Sequence, residues 1–107
     1  MEFRLLGPFE VRDGGGPVPI GGPRQRAVLA ALVIGANDVV TLERFAEAAW
    51  QRPPLSLHSN LRTYVTALRR LLPDRLVTEP DGYRLLVEAG ESDLAVFEEL
   101  VDRAADA

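Results

Sequence analysis

Residues 57–72 constrain the fold more than any other stretch of this chain. Leu57, Leu61, Tyr64, Val65, Leu68, Leu71 and Leu72 recur at helical spacing, which predicts a helix of about 16 residues, roughly 24 Å long, with one apolar stripe. Pro73 stops it. The opposite face carries Ser59, Arg62, Thr63, Thr66 and Arg70, with His58 and Arg69 at one edge. Residues 53–72 hold three arginines and no carboxylate. Arginine brings charge and forked donors, and small hydroxyls permit close approach, so this face suits a nucleic-acid groove.

A hairpin follows directly. Residues 75–78 and 83–87 flank Glu79-Pro80-Asp81-Gly82. Proline at the second turn position and glycine at the fourth favour a type I turn. Upstream of the long helix, residues 24–34 read as an apolar helix opened by Pro23 and closed by Gly35. Val28, Leu29, Leu32 and Val33 are its expected core. Val39-Val40 is a short strand. Thr41 is placed to cap a second helix running to about Trp50, with Val40 and Phe45 set as a hydrophobic staple. Gln51-Arg52-Pro53-Pro54 breaks that helix, and Ser56 is the expected cap of the third. Two helices followed by a hairpin is the winged form of the helix-turn-helix.

The N-terminus alternates as a strand does, through Phe3, Leu5, Phe9 and Val11, and Gly7-Pro8 divides it into two short strands. Asp13-Gly14-Gly15-Gly16 is a turn, and Val18 and Ile20 form an expected edge strand. At the other end, Ser92 or Asp93 caps a helix with Leu94, Phe97, Leu100 and Val101 on one side. Leu94, Phe97 and Leu100 are expected to be covered by the domain or by a neighbouring copy, and the stripe suggests an excised fragment. The predicted fold class is α+β: an N-terminal antiparallel sheet, three helices, a C-terminal hairpin wing and one extra helix.

Charge narrows the function. The net charge of −4 argues against a nucleic-acid binder only if it is taken whole. Residues 1–87 hold eleven arginines against nine carboxylates, while residues 88–107 hold one against seven. The local field at a face governs encounter, so a basic face beside an acidic appendix is compatible with DNA. The absence of cysteine excludes disulfides and thiolate metal sites, and His58 is the only histidine. No metal, cofactor or catalytic constellation is expected, and the chain reads as a non-enzyme. The glycine cluster lacks the Lys-Ser/Thr of a phosphate-binding loop and reads as turns. No apolar run reaches the ~18 residues of a membrane span, and no signal peptide is expected.

The stretches FRLLGPFEV, GGPRQRAVLAALV, ANDVVTLERFAEAAW, NLRTYVTALRRLL, RLVTEPDGYRLLV and SDLAVFEEL run through nearly the whole chain. In this order and spacing the chain resembles the N-terminal part of the Streptomyces antibiotic regulatory proteins: an OmpR-type winged helix followed by a bacterial transcriptional activation domain. That resemblance implies a DNA-binding domain over residues 1–90 and the first helix of an activation domain over residues 91–107. It implies a cytoplasmic, nucleoid-associated activator of secondary-metabolite genes, bound at direct repeats near a promoter, with a homodimer on DNA as one arrangement. The third helix would enter the major groove, and Gln51, Arg52, Pro53, Pro54 and Leu55 would face RNA polymerase. Two departures remove positive charge: Ala67 stands where family members often have arginine, and Glu79 where the wing often has a basic residue.

Arg62, Thr63 and Thr66 are the candidates for base contact. Thr63 and Thr66 are candidates for base methyls or phosphates, with filler on a polar face as the alternative. Arg69 and Arg70 are candidates for phosphate, with surface ion pairing as the alternative. Arg84 is a candidate for the backbone or minor groove, with a cross-strand pair as the competing use, and Arg24 and Arg26 for phosphate at a helix start. A reading from another class also stands: a winged-helix interaction module that has lost DNA binding, motivated by Ala67, Glu79 and the net charge.

Overall fold

Gly14 and Gly15 both adopt positive φ, 60° and 86°, and fold the chain into a tight two-residue turn that glycine makes without steric cost. The computed structural model describes residues 1–106, and the side chain of the last of these is not described. The chain divides into two units, Met1–Pro19 with Glu88–Ala107, and Ile20–Val87. In the first unit, β1 (Glu2–Arg4), β2 (Glu10–Asp13) and β3 (Gly16–Pro17) form an antiparallel sheet in that order. The expected edge strand at Val18 and Ile20 lies earlier. The two-glycine turn starts pairing at once, Asp13 with Gly16 and Arg12 with Pro17. The Val18 N–H still reaches the Val11 carbonyl at 2.8 Å, and Pro19, which has no N–H, ends the ladder. Arg4 pairs with Glu2 at 3.1 Å and Glu10 at 3.7 Å; the bond to Glu2 raises its pKa further.

The last helix of the chain, Asp93–Asp106, belongs to this same unit. Ser92 is its cap, accepting from the Ala95 N–H at 3.3 Å. Asp93 instead accepts the backbone N–H groups of Leu5 (2.7 Å) and Leu6 (3.1 Å). Phe3 is fully buried and bridges to Ser92. The expectation that the apolar stripe is covered does not hold within the chain: Leu94 is half-buried, but Phe97 and Leu100 are 52% and 56% exposed. The reason is length. β1 has three residues, about 10 Å of strand, whereas the helix of 14 residues runs about 21 Å.

The second unit is built on α1 (Pro23–Ile34), β4 (Val40–Thr41), α2 (Leu42–Ala49), α3 (Leu57–Leu71), β5 (Leu76–Glu79) and β6 (Gly82–Leu85); the helix at Asp93–Asp106 is α4. Val28, Leu29, Leu32 and Val33 of α1 are buried as expected, and Gly35 ends the helix. Thr41 caps α2 by accepting the Arg44 N–H at 3.3 Å, and the flanking Val40 and Phe45 are both buried. Ser56 does not cap α3 with its side chain. Its φ of −90° and ψ of 22° are not the extended values that aim a capping oxygen. The turn runs straight into the helix instead, through Leu57 N–H to Pro54 C=O at 3.0 Å. Leu61, Val65, Leu68 and Leu72 are buried.

The second sheet has the order β4-β6-β5, all antiparallel. Glu79 pairs with Gly82 across Pro80 and Asp81. Gly82 lies directly under β4, where a Cβ would overlap the Val40 carbonyl oxygen. Only glycine lets the two strands close there. Phe45 meets Tyr83 edge to face with ring centroids 6.1 Å apart, joining α2 to the hairpin. Among the described residues no helix is long and apolar enough to cross a membrane.

Candidate nucleic-acid interface

The leucine stripe decides which face of α3 looks outward. With Leu61, Val65 and Leu68 buried, helical periodicity brings His58, Ser59, Arg62, Thr63, Thr66, Ala67 and Arg70 together along one shallow concavity. Arg62 and Arg70 are exposed, and their guanidiniums take part in no hydrogen bond or ion pair among the described residues. No carboxylate lines this face. Two uncommitted guanidiniums, about two turns apart, therefore present only donors and charge.

The two threonines are committed in part. Thr63 Oγ1 donates to the Ser59 carbonyl at 3.1 Å, and Thr66 Oγ1 to the Arg62 carbonyl at 2.8 Å. Neither can donate to a partner without first breaking that bond.

Arg69 points to the wing. Its Nη2 donates to Thr78 Oγ1 at 3.0 Å and to the Leu76 carbonyl at 3.4 Å. The guanidinium thus ties α3 to β5, a role that depends on how the two elements pack and leaves no mark in sequence periodicity. Strand pleating puts Thr78 and Tyr83 on the side facing α3, and Val77, Glu79 and Arg84 on the other. There Arg84 Nη2 meets Glu79 at 3.0 Å, so of the two uses foreseen for Arg84 the cross-strand pair is present. Arg84 Nε is buried without a hydrogen-bond partner, although the side chain as a whole is 38% exposed.

The remaining candidates lie elsewhere. Arg24 stacks over Trp50, 5.2 Å from the ring centroid, and its Nε donates to the Ala49 carbonyl at 3.1 Å. Arg24 and Arg26 sit in the first turn of α1 and do not line the α3 concavity. Of the segment expected to face polymerase, Gln51, Arg52, Pro53 and Leu55 are exposed, Leu55 completely, and Pro54 is half-buried.

Two helices, a short turn, an outward basic face and a hairpin wing define an OmpR-type winged helix-turn-helix. The comparisons with known proteins agree. The chain belongs to the family described as "Transcriptional regulatory protein, C terminal", whose model matches residues 18–85. It is 41% identical over 95 residues to the transcriptional regulatory protein MoaR1 of Mycobacterium tuberculosis, covering 81% of this chain and 30% of that protein. It is 37% identical over 108 residues to the regulatory protein AfsR of Streptomyces coelicolor, covering 97% of this chain and 11% of AfsR. Among solved structures, Mycobacterium tuberculosis EmbR in complex with a low-affinity phosphopeptide superposes with a TM-score of 0.83 at 39% identity, over 90% of this chain and 27% of that one. The chain thus spans less than a third of the length of these relatives, which are named as regulators.

Proposed function

We infer that this chain is the sequence-specific DNA-binding part of a transcriptional activator of a secondary-metabolite, antibiotic-type gene cluster. The observation that carries the reading is the α3 face, where Arg62 and Arg70 stand uncommitted on a surface lined by no carboxylate. The helix enters the major groove. Arg62, Thr63 and Thr66 meet base edges, Arg62 best matching the two acceptors of guanine. Arg70, Arg69, Arg24 and Arg26 meet phosphates, the wing lies on the adjacent backbone or minor groove, and Arg84, the remaining phosphate candidate, reaches the backbone only when Glu79 releases it. The similarity to AfsR and the six Streptomyces-like stretches support the antibiotic assignment.

The exposed segment Gln51, Arg52, Pro53, Pro54 and Leu55 is the surface for RNA polymerase, and two copies on direct repeats are the bound form. Residues 1–90 act as the DNA-binding domain and residues 91–107 as the first helix of an activation domain. A cytoplasmic, nucleoid-associated location follows from the target. No cofactor or metal enters this function.

Selection from a random duplex pool, followed by binding to a promoter library, tests the reading. A defined enriched sequence is expected, with Arg62→Ala relaxing preference at one base pair. One observation favours a second reading, an interaction module that no longer binds DNA: Glu79 neutralises Arg84 on the wing, while α3 carries Ala67 on its outer face. That reading takes the lead if the pool enriches nothing and none of Arg62→Ala, Arg70→Ala and Glu79→Gln changes DNA binding.

A further inference from the structure

The threonine hydroxyls on the outer face of α3 have their hydrogens engaged by the helix itself, Thr63 on the Ser59 carbonyl and Thr66 on the Arg62 carbonyl. A hydroxyl has one hydrogen to donate. What these side chains still offer is a methyl group and oxygen lone pairs. Ala67, beside them on the same face, offers a methyl alone. The strip between Arg62 and Arg70 is thus poor in donors and rich in methyls, flanked by two side chains that are donors only.

In the major groove the one apolar feature on a base edge is the thymine C5-methyl, and alanine and threonine methyls are its natural contacts. Resting on the DNA-binding reading above, we propose that Thr63, Thr66 and Ala67 read thymine through its methyl group, next to a guanine held by Arg62. Thr63 to Ala67 is four residues, about 6 Å of helix rise. At about 3.4 Å per base step this covers one or two thymines. Thr66, four residues from both Arg62 and Arg70 and so at the middle of the strip, is the principal reader.

The test uses the duplex enriched from a random pool by the full chain, resynthesised with deoxyuridine at each thymine in turn. That change deletes only the methyl. One or two positions are expected to lose about fourfold in affinity each, the equivalent of roughly 0.8 kcal/mol for one buried carbon, and the others nothing. Thr66→Val keeps a methyl and is expected to retain the discrimination. Thr66→Ser keeps the hydroxyl and is expected to lose it at one position. Thr66 is exposed, and an unchanged melting temperature verifies the fold. An enriched duplex that tolerates deoxyuridine everywhere overturns this inference alone. So does the reverse pattern, discrimination kept by Thr66→Ser and lost by Thr66→Val. A pool that enriches no sequence removes the DNA-binding reading and this inference with it.

Discussion

Glu79→Gln should tighten DNA binding by about fivefold at 0.15 M salt. The carboxylate holds Arg84 Nη2 at 3.0 Å, with the two side chains 23% and 38% exposed. Such a part-exposed pair contributes at most about 1 kcal/mol to folding, so the wing should keep its shape without it. Backbone pairing of β5 with β6 and the Gly82 turn remain. Loss of the carboxylate releases Arg84 Nη2, which becomes free for one phosphate. One added phosphate contact steepens the salt dependence by about 0.9 log unit per log unit. Extrapolated from a 1 M reference, that is about fivefold at 0.15 M, and the advantage should shrink roughly threefold between about 0.05 and 0.2 M salt. Fluorescence anisotropy on one duplex across a salt series measures both quantities. Base preference across a promoter library should not change. An unchanged slope, with the melting temperature also unchanged, would refute the reasoning, because Arg84 would then be free and still not touch the backbone.

Other variants separate reading from holding and fold from function. Arg62→Ala should cost ~1–3 kcal/mol on the enriched sequence and relax one base pair, whereas Arg70→Ala should weaken all duplexes alike and reduce the slope by about one; a swapped pattern in library binding reverses the two roles. Gly82→Ala drives a Cβ into the Val40 carbonyl and should cost about 2–3 kcal/mol, lowering Tm by roughly 10 °C or more; a Tm within 2–3 °C of the parent, by that same scale, means β4 and β6 do not close as described. Arg69→Ala removes the tie from α3 to Thr78 and Leu76, so hydrogen exchange in β5 should rise along with the loss of DNA affinity; loss of affinity alone assigns Arg69 to phosphate only. Asp93→Ala leaves the Leu5 and Leu6 amides without their acceptor and should speed their exchange by about tenfold, for ~1–2 kcal/mol.

The parts of the fold legible in the sequence were those set by periodicity and turn chemistry. The α3 stripe, the Thr41 cap with its Val40 and Phe45 flanks, and the Pro80-Asp81 turn are each local patterns with a single good solution. The misplacements came where neighbours decide. Val18 fell outside β3 because the Gly14-Gly15 turn begins pairing one step earlier. Ser56 gave no cap because residues 54–57 already turn helically. The outward face of α3 followed from its buried stripe, so Arg62, Thr63, Thr66 and Arg70 were found together. Arg69 and Arg24 are basic residues on helices like the others, yet their guanidiniums are held by Thr78 and by Ala49 and Trp50. Those bonds depend on the angle between elements, which no spacing in the sequence encodes. The hydroxyl bonds of Thr63 and Thr66 are rotamer choices and are likewise visible only in three dimensions.

A salt titration of the chain on its enriched duplex, set against a scrambled duplex of the same composition, measures whether the α3 face binds DNA at all. The logarithm of the binding constant should fall linearly with the logarithm of salt, with a slope of about −1.8 to −3.6, corresponding to two to four of the proposed phosphate contacts at −0.9 each. The scrambled duplex should share most of that slope at a weaker affinity, because phosphate contacts carry no sequence information. A slope near zero, or equal affinity for both duplexes at every salt concentration, would contradict a sequence-reading role for this domain.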